Sequence, residues 1–224
     1  MIAELVRAVT EFGPDIVTAT GQTLYMVGLA ILFAALAGIP IGTLLVVMDR
    51  GHIAAVPPLR AVLAFIVNTG RSIPFIILLI ALAPFTRLLV GTSLGTAAAV
   101  PPMAVAATPL VARVVETALR EVDPGTIDAA VAMGASPWQV VRKVLLPEAL
   151  PAVVLGITIA TVGLIEFSAV AGAVGGGGLG DLAFRMGYQR WEAGVLLVCV
   201  VLLVGLVQVV QWAGDSLARR LNHR

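Results

Sequence analysis

Asp128-Ala129-Ala130-Val131-Ala132-Met133-Gly134-Ala135-Ser136-Pro137-Trp138-Gln139-Val140-Val141-Arg142-Lys143-Val144-Leu145-Leu146-Pro147 is a polar, charged, helix-prone insert between two apolar runs long enough to cross a bilayer. Its local signals are strong. Asp123-Pro124 supplies an N-cap residue followed by proline at the first helical position, so a short helix is expected from there to Met133. Gly134 then stands where a left-handed residue must close the helix, a conformation glycine alone takes without steric cost. Ser136-Pro137-Trp138-Gln139 restarts the helix at once through a capping box, Ser136 bonding the amide of Gln139 and Gln139 returning the bond. Val140, Val141, Val144 and Leu145 give the second helix an apolar side, while Arg142 and Lys143 face water or lipid phosphate. Leu146-Pro147 is expected to end it. Taken alone, two short helices joined by a glycine corner also suit an amphipathic pair that simply lies on the membrane.

The runs on either side fix the solvent. With 59% hydrophobic residues and 12% charged, and a mean hydropathy of +1.04, the chain reads as an integral membrane protein; soluble domains carry roughly 25% charged residues. A crossing helix needs about 20 apolar residues. By that measure five spans are expected in one all-α, polytopic domain covering residues 1–224: about 20–47, 61–84, 92–113, 150–173 and 193–212, with a loop at 116–147 between the third and fourth. Gly38-x-x-x-Gly42 in the first span is a close-packing pattern. Because no internal repeat is convincing, a transporter built from inverted halves is disfavoured.

Orientation follows from the basic residues. With the insert in the cytoplasm, Arg50, Arg60, Arg113, Arg120, Arg142, Lys143, Arg219, Arg220 and Arg224 lie inside, against Arg7, Arg87, Arg185 and Arg190 outside. The excess inside supports this choice and puts the N-terminus outside and the C-terminus inside. Trp191 and Trp212 bracket the fifth span as interfacial indoles do. The leading segment, with Glu4, Arg7, Glu11 and Asp15, has the wrong charge for a cleaved signal, so the first helix is expected to stay. A net charge of +1 gives no reason to expect nucleic acid.

The insert's spacing is an acid and two alanines, Gly134 six positions after Asp128, then Val144-x-Leu146-Pro147 ten positions on. This resembles the cytoplasmic loop by which permeases of ATP-binding-cassette importers touch their ATPase. Arg71-Ser72-Ile73-Pro74-Phe75-Ile76-Ile77-Leu78-Leu79, Pro84-Phe85-Thr86-Arg87, Val90-Gly91-Thr92-Ser93, the stretch Arg142 to Pro151 and Gly172 to Gly180 are similar to the methionine-uptake permeases. The resemblance implies the type I permease fold and a bacterial inner-membrane location. It also implies a homodimer, two copies of a separate ATPase and an extracytoplasmic binding lipoprotein that delivers D- or L-methionine or a related amino acid. ATP and magnesium would sit on the ATPase, leaving no cofactor in this chain. Asp128, Ala129, Ala130, Gly134, Leu146 and Pro147 would form the ATPase-coupling surface. Asp128 departs from the more usual glutamate, keeping the charge and shortening the reach. A dimer also follows from geometry, since five helices hardly enclose an amino-acid pathway and ten around a twofold axis can.

Other sites are weighed on their residues. Gly175, Gly177 and Gly180 match G-x-G-x-x-G, but Asp181 stands where a P-loop needs lysine and no strand precedes; a flexible extracytoplasmic turn is expected, and ATP must bind another chain. Glu166 lies within the fourth span, where an acid costs roughly 2.5 to 3.5 kcal/mol at mid-membrane. It is a candidate for the substrate pathway, meeting a substrate ammonium or a base such as Arg71; a structural ion pair or a place near the outer boundary is the alternative. Arg71, just before Pro74 in a helix expected to bend, either reaches the pathway or snorkels to the interface, and Asn68 shares that ambiguity. His52 and His223 are expected to be solvated, without metal-binding partners. One cysteine, Cys199, and two histidines allow neither a disulfide framework nor a catalytic triad, so the chain is read as non-catalytic. Two rivals stay open: an importer permease for a different small solute, and an ion-coupled secondary transporter using Glu166 and Arg71.

Overall fold

The computed structural model describes residues 2–222; His223 and Arg224 lie outside the described residues. All regular structure there is helical: α1 (Ile2–Val47), α2 (Pro57–Ser72), α3 (Phe75–Ala81), α4 (Ala83–Val90), α5 (Thr96–Arg120), α6 (Pro124–Ala132), α7 (Pro137–Val140), α8 (Leu146–Ala171), α9 (Gly178–Leu182) and α10 (Ala193–Leu221). Wider π turns occupy Val141–Leu145, Gly172–Gly176 and Ala183–Tyr188. Four segments are long and apolar enough to cross a membrane, and a fifth arises if α2 and α3 are counted as one broken span. With 46 residues, α1 is about 69 Å long at the usual helical rise, well beyond one bilayer. Its charged lead is helical too, and Arg7 pairs with Glu11 one turn on.

Contacts divide the chain into two compact units, Met1–Leu32 with Ile73–Ala107 and Thr161–Gln211, and Phe33–Ser72 with Thr108–Ala160 and Trp212–Arg224. In the first, Ala8, Ile16 and Ala19 of α1 pack on Leu179, Leu182, Val195 and Cys199, so the thiol is buried in protein and not presented to lipid. Phe75 stacks on Phe167 with ring centres 4.5 Å apart. In the second unit the helices approach through small residues: a Cβ on Gly38 would come within 2.8 Å of Val111, and one on Gly42 would strike the carbonyl of Ala112. Gly156 makes the same accommodation for Val114. Hydroxyls within the long helices bond back to their own turns, as Thr43 does to Ile39, Thr158 to Val154 and Ser168 to Ile165, which removes bare polar groups from an apolar solvent.

Two expectations change. The run at 61–84 does not form one bent helix; it is interrupted at Ile73–Pro74, since proline lacks an N–H and disfavours helical geometry in the residue before it. Pro74, with ψ of 134°, instead caps α3. The glycine run is not a free turn either. Gly175, Gly177 and Gly178 take positive φ. The amides of Gly178 and Leu179 donate to the side chains of Gln22 and Thr23 at 2.8 and 2.9 Å. The amide of Gly95 donates to the Gly175 carbonyl at 2.9 Å, so α1 and the start of α5 hold the turn in place.

Candidate functional site

From the end of α5 to the start of α8 the backbone is built by caps. The Asp123 carboxylate accepts from the Gly125 amide at 2.9 Å and Pro124 opens α6. The helix closes at Met133, and Gly134 follows with φ of 81°. The Gly134 amide reaches the Val131 carbonyl at 2.9 Å and that of Ala135 reaches Ala130 at 3.1 Å, a pairing that only a left-handed residue at the corner allows. The capping box forms as spaced: Ser136 N–H donates to Gln139 Oε1 at 2.8 Å, and the Gln139 amide to Ser136 Oγ at 3.4 Å.

Leu146-Pro147 does not end the second helix. α7 passes through the π turn Val141–Leu145 directly into α8, with the Leu146 amide bonded to Val141 five residues back. Pro147 cannot donate, and its ring would press on the carbonyl four residues earlier; a widened turn ahead of it provides the room that a regular helix lacks. A continuous helical rod therefore runs from Pro137 through Ala171.

On this frame Ala130 is buried and anchors α6, while Asp128 and Ala129 are exposed. Val131 and Met133 are also exposed, Met133 at 83%, apolar surface that a partner would cover. Beside Asp128 lies a groove lined by Gly51, His52, Ile53, Leu119, Arg120 and Val131.

Arg120 of this groove belongs to a charge network not singled out from sequence. Glu116 on α5 is 3% exposed. Its carboxylate pairs with Arg113, with Arg120 at 3.0 Å and with Arg60 of α2 at 3.7 Å. Asp49, just past α1, bonds Arg120 at 2.6 Å and Arg60 at 3.3 Å. The Arg120 hydrogen bond holds the Asp49 carboxyl below the usual carboxylate range. Three helices are thus tied at one level. The spacing Arg113-x-x-Glu116-x-x-x-Arg120 carried the signal in the sequence, as one-turn ion pairs, but the cross-helix partners did not show.

The other candidates fall as follows. Asn68 accepts from Arg113, so it extends this network. Arg71, the last basic residue of α2, is exposed. Glu166 is exposed on α8 and belongs to the first unit, whereas Arg71 belongs to the second. His52 is not freely solvated: it is half-buried and its Nδ1 is buried without a hydrogen-bond partner. Burial first, and the Arg120 charge second, push its pKa down.

The chain matches, over residues 38–223, the family of binding-protein-dependent transport system inner membrane components. It belongs to that family, and its fold is that of a type I ABC importer permease. It is 48% identical over 209 residues to the probable D-methionine transport system permease protein MetI of Vibrio cholerae, covering 93% of each chain. It is 43% identical over 206 residues to the methionine import system permease protein MetP of Bacillus subtilis, covering 92% of this chain and 93% of that one. A chain of the MetNI methionine ABC transporter, solved in inward-facing conformations, superposes with a TM-score of 0.93 at 46% identity, over 95% of this chain and 99% of the other. An amino acid ABC transporter solved with histidines shares the fold, with a TM-score of 0.77 at 19% identity over 95% of this chain and 97% of that chain.

Proposed function

We propose that this chain is the membrane-spanning subunit of an importer that moves methionine into the cytoplasm, driven by ATP hydrolysis on a separate ATPase. Residues 1–224 act as one permease domain whose spans lie near 20–47, 61–84, 92–113, 150–173 and 193–212. The N-terminus lies outside and the C-terminus in the cytoplasm. Two copies enclose the pathway, two ATPase subunits hold ATP and magnesium, and an extracytoplasmic binding protein delivers the substrate. The permease itself catalyses no reaction.

The observation that carries this reading is the rod from Pro137 to Ala171, joined through the Gly134 corner to an exposed helix. Asp128, Ala129, Ala130 and Gly134 present or anchor the contact surface, and Leu146 and Pro147 carry the connection into the fourth span. Closure of the ATPases displaces α6, and a capped corner passes that displacement to a helix that does not break before mid-membrane. The bundle then alternates between outward and inward access, because the loop makes different contacts in the two states. The relatives' names support methionine as cargo. Glu166, Arg71 and Asn68 are candidates for the pathway wall.

Vesicles containing this chain, its ATPase and its binding protein test the proposal. ATP-dependent accumulation of labelled methionine is expected, lost without the ATPase. Uptake driven by an ion gradient alone, or no methionine uptake with an active ATPase, would refute it.

A further inference from the structure

The inner end of α1 and the start of the α7 rod enclose an apolar groove of about 470 Å³, lined by Ile39, Pro40, Thr43, Leu44, Val141 and Leu146 with the Trp138 indole at its rim. We infer that this groove holds one acyl chain of an anionic phospholipid whose phosphate is gripped by Arg142 and Lys143. Three observations converge.

The first is continuity. Leu36, Pro40 and Leu44 are exposed at four-residue spacing, so one apolar stripe leads from the groove toward the middle of α1 over about 12 Å of helix. A cytosolic ATPase cannot follow a surface into the hydrocarbon; a lipid tail can. The second is charge. Arg142 and Lys143 directly follow the groove residue Val141, Arg142 standing one turn beyond Trp138. Both are exposed, and neither has an ion-pair partner among the described residues. An apolar slot with two unpaired cations on the very next residues of the rod is complementary to a tail with an anionic head, and poorly matched to an apolar helix of a second copy. The third is the indole, 69% exposed at the start of the rod, the amphipathic side chain expected where hydrocarbon meets headgroups.

The site lies beside the coupling corner, so a lipid seated there would brace the rod against α1. Each cation near an anionic surface contributes about fivefold in affinity, so the pair should favour an anionic over a zwitterionic lipid roughly 25-fold.

The test uses the assembled transporter with its ATPase, purified and exchanged into nanodiscs of phosphatidylcholine with or without phosphatidylglycerol, then analysed by native mass spectrometry. One phosphatidylglycerol retained per copy of this chain is expected, with phosphatidylcholine retained far less. Arg142→Gln with Lys143→Gln should abolish the preference, and Leu44→Trp, which fills the slot but leaves the cations, should abolish retention. A photoreactive residue at 138 should crosslink to phospholipid. Equal retention of both lipids by the unaltered chain, undiminished phosphatidylglycerol in the two variants, or crosslinking of position 138 to the ATPase or a second copy would overturn the proposal. Assembly of each variant is checked by its co-elution with the ATPase; should Leu44→Trp fail to assemble, the charge pair and the crosslink decide.

Discussion

Replacing Gly134 by valine isolates the corner between the exposed helix and the rod. Gly134 has φ of 81°, and a Cβ built on it meets nothing within 4 Å, so the substitution brings conformational strain without a clash. For a side-chain-bearing residue the left-handed region costs about 1 to 3 kcal/mol, with β-branched residues at the upper end. A valine corner at the upper figure would shift its population roughly 100-fold toward other geometries, since each 1.4 kcal/mol is a factor of ten. The bonds from Gly134 to Val131 and from Ala135 to Ala130 would go with it. Asparagine, which tolerates this region, should keep most of the geometry, and alanine should fall between. The assay compares methionine uptake with ATP hydrolysis in reconstituted vesicles. Uptake per ATP is expected to fall in the order Asn, Ala, Val while hydrolysis persists. A valine variant with unchanged uptake per ATP would refute the claim that this corner transmits the stroke.

Glu116→Gln removes the buried carboxylate that three arginines share; because those arginines are about a third exposed and two of them keep Asp49, the loss stays below that of a fully buried pair, but the melting temperature should still drop, and an unchanged melt would argue against the network as a structural tie. Gly42→Leu must push α1 off α5 at Ala112, so yield of folded protein should collapse, whereas Gly28→Leu, with open space at its Cβ, should be tolerated. His52 has its pKa lowered by burial, so its stabilising contribution is present above the ordinary histidine value near 6.5 and is lost as pH falls below it. The melting temperature of His52→Gln should therefore fall less than that of the unaltered chain between pH 7.5 and 5.5; parallel curves would count against this. Asp49 contributes in the same sense at lower pH, its stabilisation fading as pH drops through the carboxylate range, and Asp49→Asn should remove that component.

Much of the backbone of the loop from Asp123 to Gln139 was legible because its signals are local. Asp123-Pro124, Gly134 and Ser136-Pro137-x-Gln139 each act on backbone within four residues, and each forms as spaced. Apolar length likewise announced a membrane protein without any contact being known, since the bilayer sets the minimum run of a crossing helix. Misreadings arose where a neighbour in space overrode a local rule. Pro147 reads as a stop, yet a π turn lets the helix continue. The glycine run reads as mobile, yet Gln22 and Thr23, 156 residues away in sequence, hold its amides. His52 reads as solvated, yet its Nδ1 is buried beneath neighbouring structure.

By itself, then, the sequence determined the solvent, the helical class, the capped corner and its two short helices, because hydropathy and capping act over one span or one turn. Tertiary structure alone decided that Glu116, already paired within its own helix to Arg113 and Arg120, also meets Arg60 of α2, and that Asp49 just past α1 joins Arg60 and Arg120, because charges on separate helices find one another only when packing brings them to one level.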